Sequence, residues 1–223
     1  MHTMQRYKIP KQPKHDDMLF SIGIDEAGRG ALAGPVSVGA VLYPEDFKWQ
    51  NAFALITKRG VPKLRDSKRL SAAQRDILYD FIVSNTELKY AHAFTDASTI
   101  DSIGIVPATL CAVKNAIAGL NANPGAASVV LDAGLRAPVI WTQESFVRGD
   151  ENIPAISFAS IIAKVTRDRY MEQLGAPYAT YGFDQHKGYG TAGHSAAILK
   201  WGLSDQHRRS FCSAFLGLQK AEK

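Results

Sequence analysis

Two adjacent carboxylates, Asp25 and Glu26, close the apolar stretch Phe20-Ser21-Ile22-Gly23-Ile24, and Gly28-Arg29-Gly30 follows at once. A third acid, Asp132, closes Ser128-Val129-Val130-Leu131 in the same way, and a fourth, Asp150, stands in Arg148-Gly149-Asp150 ahead of a helix start. Acids gathered at strand ends suit one chemistry in particular. Phosphoryl hydrolysis with two divalent cations needs carboxylates that converge on one point and hold the ions roughly 3.5–4 Å apart. Neighbouring strands bring their last residues close together, so their ends are a suitable platform.

Each acid also has a plain structural reading, because turns, caps and helix dipoles all favour acids. Taken alone, Asp150 reads as a cap. Asp25-Glu26 carries more weight, since two acids end a strand that would otherwise be core. In a regular strand adjacent side chains point to opposite faces. Both acids can serve one site only if the strand ends or bends between them. A rival lies just beyond: Gly28, Gly30 and Ala33 fit the G-x-G-x-x-A fingerprint of dinucleotide-binding proteins. That reading fails because Pro35 and the alternating Val36–Tyr43 continue as a strand where the fingerprint needs a helix. Two acids ahead of the glycines would also repel a pyrophosphate, and no βαβ unit with a ribose-binding acid follows. Gly193-His194-Ser195 opens like a nucleophile elbow, but Ala197 replaces its second glycine. No phosphate-binding G-x-x-x-x-G-K-[ST] loop occurs, and the six histidines show no zinc-ligand spacing.

The elements that must position these residues follow from periodicity. Phe20–Asp25 and Val36–Tyr43 alternate and read as a long hairpin around the glycine turn. Residues 60–70 are a basic loop. Ser71 is the expected cap of a helix whose face includes Ile77, Leu78, Phe81 and Ile82. A strand near Leu88–Phe94 precedes helical stretches through Thr99 and from Pro107 to Leu120. The acid-ended strand Ser128–Asp132 and an extended stretch from Val139 to Val147 come next. Pro154 opens a long helix through Tyr170, and Thr191 caps a last one ending at Gly202. The pattern is an α/β domain with an antiparallel start, finished by helices.

The bulk numbers narrow the class without deciding it. The chain of 223 residues suits one large domain with a small appendage, and an apolar share of 46% supplies a core. A net charge of +5 is compatible with a polyanionic partner. Two cysteines, Cys111 and Cys212, exclude a disulfide scaffold, and Cys111 inside the apolar run Leu110–Ile117 is expected in the core. No apolar stretch is long enough to span a bilayer, so no membrane partner is expected. The polar, basic residues 1–17 lack the apolar middle of a signal peptide, which leads to the expectation of a cytoplasmic protein.

The ordered motifs resemble those of the ribonuclease HII family. Asp25-Glu26-Ala27-Gly28-Arg29-Gly30 is similar to its opening signature, and Asp66-Ser67-Lys68-Arg69-Leu70 to its D-S-K-K-L segment. Asp132 and Gly149-Asp150 match its later acidic blocks. Ala159–Asp168 resembles its long-helix motif, while His186–Thr191 and His207–Phe211 look like its bacterial C-terminal blocks. Glycine usually follows the acid at Asp132 directly, whereas Ala133-Gly134 stand here. The resemblance implies a ribonuclease H-like mixed sheet flanked by helices, divided into a flexible basic arm (1–18), a catalytic domain (19–190) and a helical C-terminal extension (191–223). It also implies a monomeric endonuclease that cleaves RNA–DNA hybrids and incises duplex DNA at single ribonucleotides, with two Mn2+ or Mg2+ ions as cofactors. Asp25, Glu26, Asp132 and Asp150 inherit the metal-binding, catalytic roles. Gly28, Arg29 and Gly30 would contact the ribose 2′-hydroxyl, Ser67 and Lys68 the substrate backbone, and Tyr189 the adjoining sugar. Asp168 lies in the same long-helix motif, but four residues after Lys164 it reads as half of a helix-surface ion pair.

Overall fold

The computed structural model describes residues 19–56 and 70–215. The expected N-terminal arm, most of the basic loop, and Ser67 and Lys68 with it, lie outside the described residues. Five strands form one mixed sheet in the order β3-β2-β1-β4-β5. The hairpin expected from the alternating stretches is present: β1 (Phe20–Ala27) pairs antiparallel with β2 (Val36–Pro44), and β2 with β3 (Lys89–Thr95). On the other side β1 runs parallel to β4 (Ala127–Asp132), and β4 to β5 (Gln143–Phe146). A parallel neighbour requires a crossover, which helices α3 (Ala97–Ile103) and α4 (Ile105–Gly119) supply.

Alternation divides the core into two layers. Ile22, Ile24, Val38, Ala40, Val129 and Leu131 pack against α4. Val41, Tyr43 and Val130 face the long helix α6 (Pro154–Gln173), with α1 (Trp49–Ala54) and α2 (Ala72–Ser84) beside it. Helix α6 lies unusually close to the sheet, and glycine permits it. A Cβ on Gly39 would stand 2.1 Å from the Ala159 carbonyl oxygen, and one on Gly23 2.3 Å from that of Ala155. Proline at the first turn suits α6 because no amide donor is needed there. Ser71 caps α2 in a reciprocal box with Gln74, and Thr191 caps α8 (Ala192–Trp201), which ends at Gly202.

Three expectations need correction. Cys111 is exposed, because α4 turns Ala108, Ala112, Val113 and Ala116 inward and leaves residue 111 on the outer face. Ile77 is 44% exposed, so the buried stripe of α2 is narrower than its apolar residues suggested. The stretch from Val139 is extended only over Gln143–Phe146. Ahead of that, the Trp141 N–H donates to the Pro138 carbonyl in a turn, and Val139 and Ile140 face outward. Among the described residues no helix is long and apolar enough to cross a membrane.

Candidate active site

The carboxylates at the ends of β1 and β4 meet. Oxygens of Asp25, Glu26 and Asp132 all lie within 4.8 Å of one another. The strand rule that separates neighbours across a sheet is circumvented in a specific way. Strand β1 stays paired with β2 as far as Ala27, but its parallel ladder with β4 stops at Ile24–Leu131. Beyond that point the β4 side of β1 is open, and the longer Glu26 side chain joins the Asp25 and Asp132 carboxyls.

Burial makes the cluster energetically tense. Asp25 is 4% exposed. Loss of hydration raises its pKa well above the usual carboxylate value, the Glu26 and Asp132 charges raise it further, and a hydrogen bond from Ser160 opposes them. Glu26 is raised as well, first by burial, while Arg29, whose Nη1 lies 3.6 Å from Oε1, pulls the other way. The Asp25 Oδ1 accepts the Glu26 N–H at 2.8 Å, and the Asp132 Oδ1 accepts the Gly149 N–H at 2.8 Å. Among the described residues Glu26 Oε2 is buried with no hydrogen-bond partner. An oxygen-only donor set with an orphaned carboxylate oxygen and mutual repulsion is what a hard divalent cation relieves, so the residues fit such an ion.

Asp150 is placed beside this cluster rather than within it. It is 4% exposed in the first turn of α5 (Gly149–Asn152), whose Gly149 amide holds Asp132. Asp168 is bonded to Lys164 at 2.9 Å, with side chains 18% and 24% exposed, so the expected i, i+4 pair exists and is half sheltered.

A groove opens beside Glu26 and is lined by Glu26, Ala27, Gly28, Arg29, Arg75, Ser160, Lys164 and Tyr189. The structure therefore brings the glycine turn and Tyr189 together, although 159 positions separate Tyr189 from Gly30 in sequence. Lys164 Nζ and the Arg167 guanidinium lie 5.4 and 5.3 Å from the Tyr189 ring centroid. Among the described residues nothing lies within 4 Å of where a Cβ on Gly30 would stand.

Sequence reasoning missed the residues that hold this groove in shape. Arg167 and Arg208 are fully buried. Arg167 donates to the carbonyls of Pro35, Ala33 and Lys187, and Arg208 to those of Gly34, Arg29 and Gly28. Gly28 has φ +81, and a Cβ there would stand 1.9 Å from Arg167 Nε, so only glycine suits the turn. Burial and the neighbouring Arg167 lower Arg208 to about 9, which still leaves it charged near neutrality. No local signal marks such arginines, because their partners are carbonyls from remote loops. Arg75 follows the Ser71 cap by four residues, and that spacing was the available clue to its place.

Comparison with known proteins agrees with this geometry. The family model described as Ribonuclease HII matches residues 22–214. A ribonuclease HII from Bacillus cereus is 44% identical over 217 residues, covering 95% of this chain and 78% of the relative. The ribonuclease H2 of Pyrococcus horikoshii superimposes with a TM-score of 0.67 at 24% identity, covering 88% of this chain and 96% of that one. Bst-RNase HIII, solved in complex with Mn2+, gives 0.66 at 17% identity over 93% of this chain and 72% of its own. The two structural likenesses establish a ribonuclease H-like fold. With its sequence matched from strand β1 to the C-terminal helical region, the chain belongs to the ribonuclease HII family and is a ribonuclease H, an endonuclease hydrolase acting on RNA–DNA hybrids.

Proposed function

We propose that the chain hydrolyses the phosphodiester on the 5′ side of a ribonucleotide, both in hybrids and at single ribonucleotides within duplex DNA. The observation that carries this reading is the convergence of Asp25, Glu26 and Asp132 at the head of a groove that also contains Gly28, Arg29 and Tyr189. Two Mn2+ or Mg2+ ions held by these acids, with Asp150 alongside, would activate water and steady the leaving oxygen. Asp25 and Asp132 are fixed by backbone amides, so their oxygens are oriented before any ion arrives.

The remaining roles fall to the groove. Backbone groups of Gly28, Arg29 and Gly30 sit beside the acids without bulky side chains at 28 and 30, where a 2′-hydroxyl can be approached closely; that hydroxyl is what separates RNA from DNA. Tyr189 packs against the sugar on the other side of the scissile junction. Arg75 and Lys164 give the groove positive charge for the phosphate backbone. Ser67 and Lys68 belong to the same proposal as backbone contacts.

The test uses matched duplexes containing one ribonucleotide, a continuous RNA strand, or DNA alone, incubated with manganese. Incision 5′ of the ribonucleotide, leaving 3′-hydroxyl and 5′-phosphate ends, is expected. A 2′,3′-cyclic phosphate product would overturn the mechanism, because water would then not be the nucleophile. Intact singly substituted duplex alongside a cleaved hybrid would overturn the junction reading. Tyr189→Ala should fold normally and lose most single-ribonucleotide incision; an unchanged rate would remove Tyr189 from the site.

A further inference from the structure

Behind the groove three histidines from three segments come together. His186 ends α7 (Phe183–His186), His194 sits in the first turn of α8, and His207 lies beyond α8, where it bridges Ala33. The rings of His186 and His194 stack 4.3 Å apart, and Nε2 of His194 lies 3.0 Å from Nε2 of His207. Two ring nitrogens at that distance must be one donor and one acceptor, and the neighbours decide which.

The Ser204 N–H donates to His207 Nδ1 at 2.9 Å, so that nitrogen carries no proton and His207 is protonated on Nε2. His194 Nε2 must then accept, which leaves its proton on Nδ1. That proton points to the Tyr189 carbonyl oxygen at 2.9 Å. The chain therefore runs in one direction, from Ser204 through His207 and His194 to the peptide of Tyr189. Both rings are buried, at 0% and 2% exposure, and burial holds both near pKa 4, so they stay neutral as this pattern demands. The next residue, Arg208, grips the opposite wall through the Gly28 and Arg29 carbonyls at 2.8 and 2.9 Å.

We propose that His207 and Arg208, with His194 as intermediary, form a strut that sets the separation between Tyr189 and Gly28-Arg29, and so govern discrimination of a lone ribonucleotide. The inference rests on the reading of Tyr189 given above. These are positioning residues, acting through Tyr189 and the glycine turn. Consecutive residues on one short segment reach both walls of the groove, and neither touches the carboxylate cluster.

The test cuts the chain at one link or the other. In His194→Asn the side-chain amide occupies the place of Nδ1 and can still donate to the Tyr189 carbonyl, but the His207 Nε2–H loses its acceptor; in His194→Gln the amide occupies the place of Nε2 and can still meet His207, but the Tyr189 carbonyl loses its donor. The readout is the ratio of kcat/KM for the singly substituted duplex to that for a continuous hybrid, with thermal unfolding measured beside it. Each variant breaks the chain at one of its two links, so both should lower this ratio roughly tenfold or more, the scale expected for a misplaced binding group. Arg208→Lys should also lower it, since a point charge cannot span two carbonyls in the manner of a guanidinium. A ratio that stays near the parent in either folded variant would overturn the strut, and so would two variants that both fail to fold, which would mark the contact as purely structural. Tyr189→Ala separates the two claims. If it lowers the ratio and His194→Gln does not, only the strut is wrong; if it leaves the ratio unchanged, the reading of Tyr189 itself is wrong.

Discussion

Replacing Asp25 by Asn should make the metal-free protein more stable while abolishing cleavage. The Asn keeps the shape and retains an oxygen to accept the Glu26 N–H, so the substitution removes charge and little else. At up to 4.8 Å, two unit charges in an effective dielectric of about 20 repel by roughly 3 kcal/mol, and Asp25 faces both Glu26 and Asp132. Arg29 offsets part of the Glu26 charge. Partial protonation of the raised Asp25 carboxyl offsets more, which leaves a net gain of about 1–3 kcal/mol. The assay is urea unfolding in chelator and again in excess manganese, with hybrid cleavage measured in parallel. The parent should be stabilised by manganese and the variant hardly at all, since binding stabilises only a fold that holds the ion. A variant that is less stable in chelator, equally stabilised by manganese and active in cleavage would refute the reasoning from the cluster.

Gly39→Ala should destabilise by roughly 3 kcal/mol or more, because its Cβ would meet the Ala159 carbonyl at 2.1 Å and only a backbone shift relieves that. Gly30→Ala, with open space, should leave the urea midpoint unchanged, and a loss of incision there would report on substrate alone. Buried, neutral His194 and His207 contribute stability that is fully present above the unfolded pKa of 6.5 and is lost as pH falls towards about 4, where protonation of the fold begins. One such histidine corresponds to about 3 kcal/mol. The Asp25 and Glu26 shifts act in the opposite sense, so the measurement is the difference in pH profile between parent and His194→Asn, and an unchanged profile would refute the neutral chain. Asp150→Asn should lower the cleavage rate by orders of magnitude, whereas Asp168→Asn should cost roughly 1 kcal/mol or less in a chemical melt; a reversal of their effects on rate would displace Asp150 from the site.

What could be read from residues alone was what depends on near neighbours. The Ser71 and Thr191 caps, the proline-led α6 and the Lys164–Asp168 pair each involve groups a few positions apart, whose geometry the helix repeat dictates, and the hairpin joins two alternating stretches that follow one another in sequence. The ordered motifs carried the family in the same way. The cluster of Asp25, Glu26 and Asp132 was legible only as three acids at strand ends. Whether they met depended on where the β1–β4 ladder stopped, and that is a property of register. Burial of Arg167 and Arg208, the stacking of His186 on His194, and the outward turn of Cys111 left no mark in spacing. Their partners are carbonyls and rings from segments as much as 180 positions away, and long-range contacts of that kind are chosen by how the layers pack.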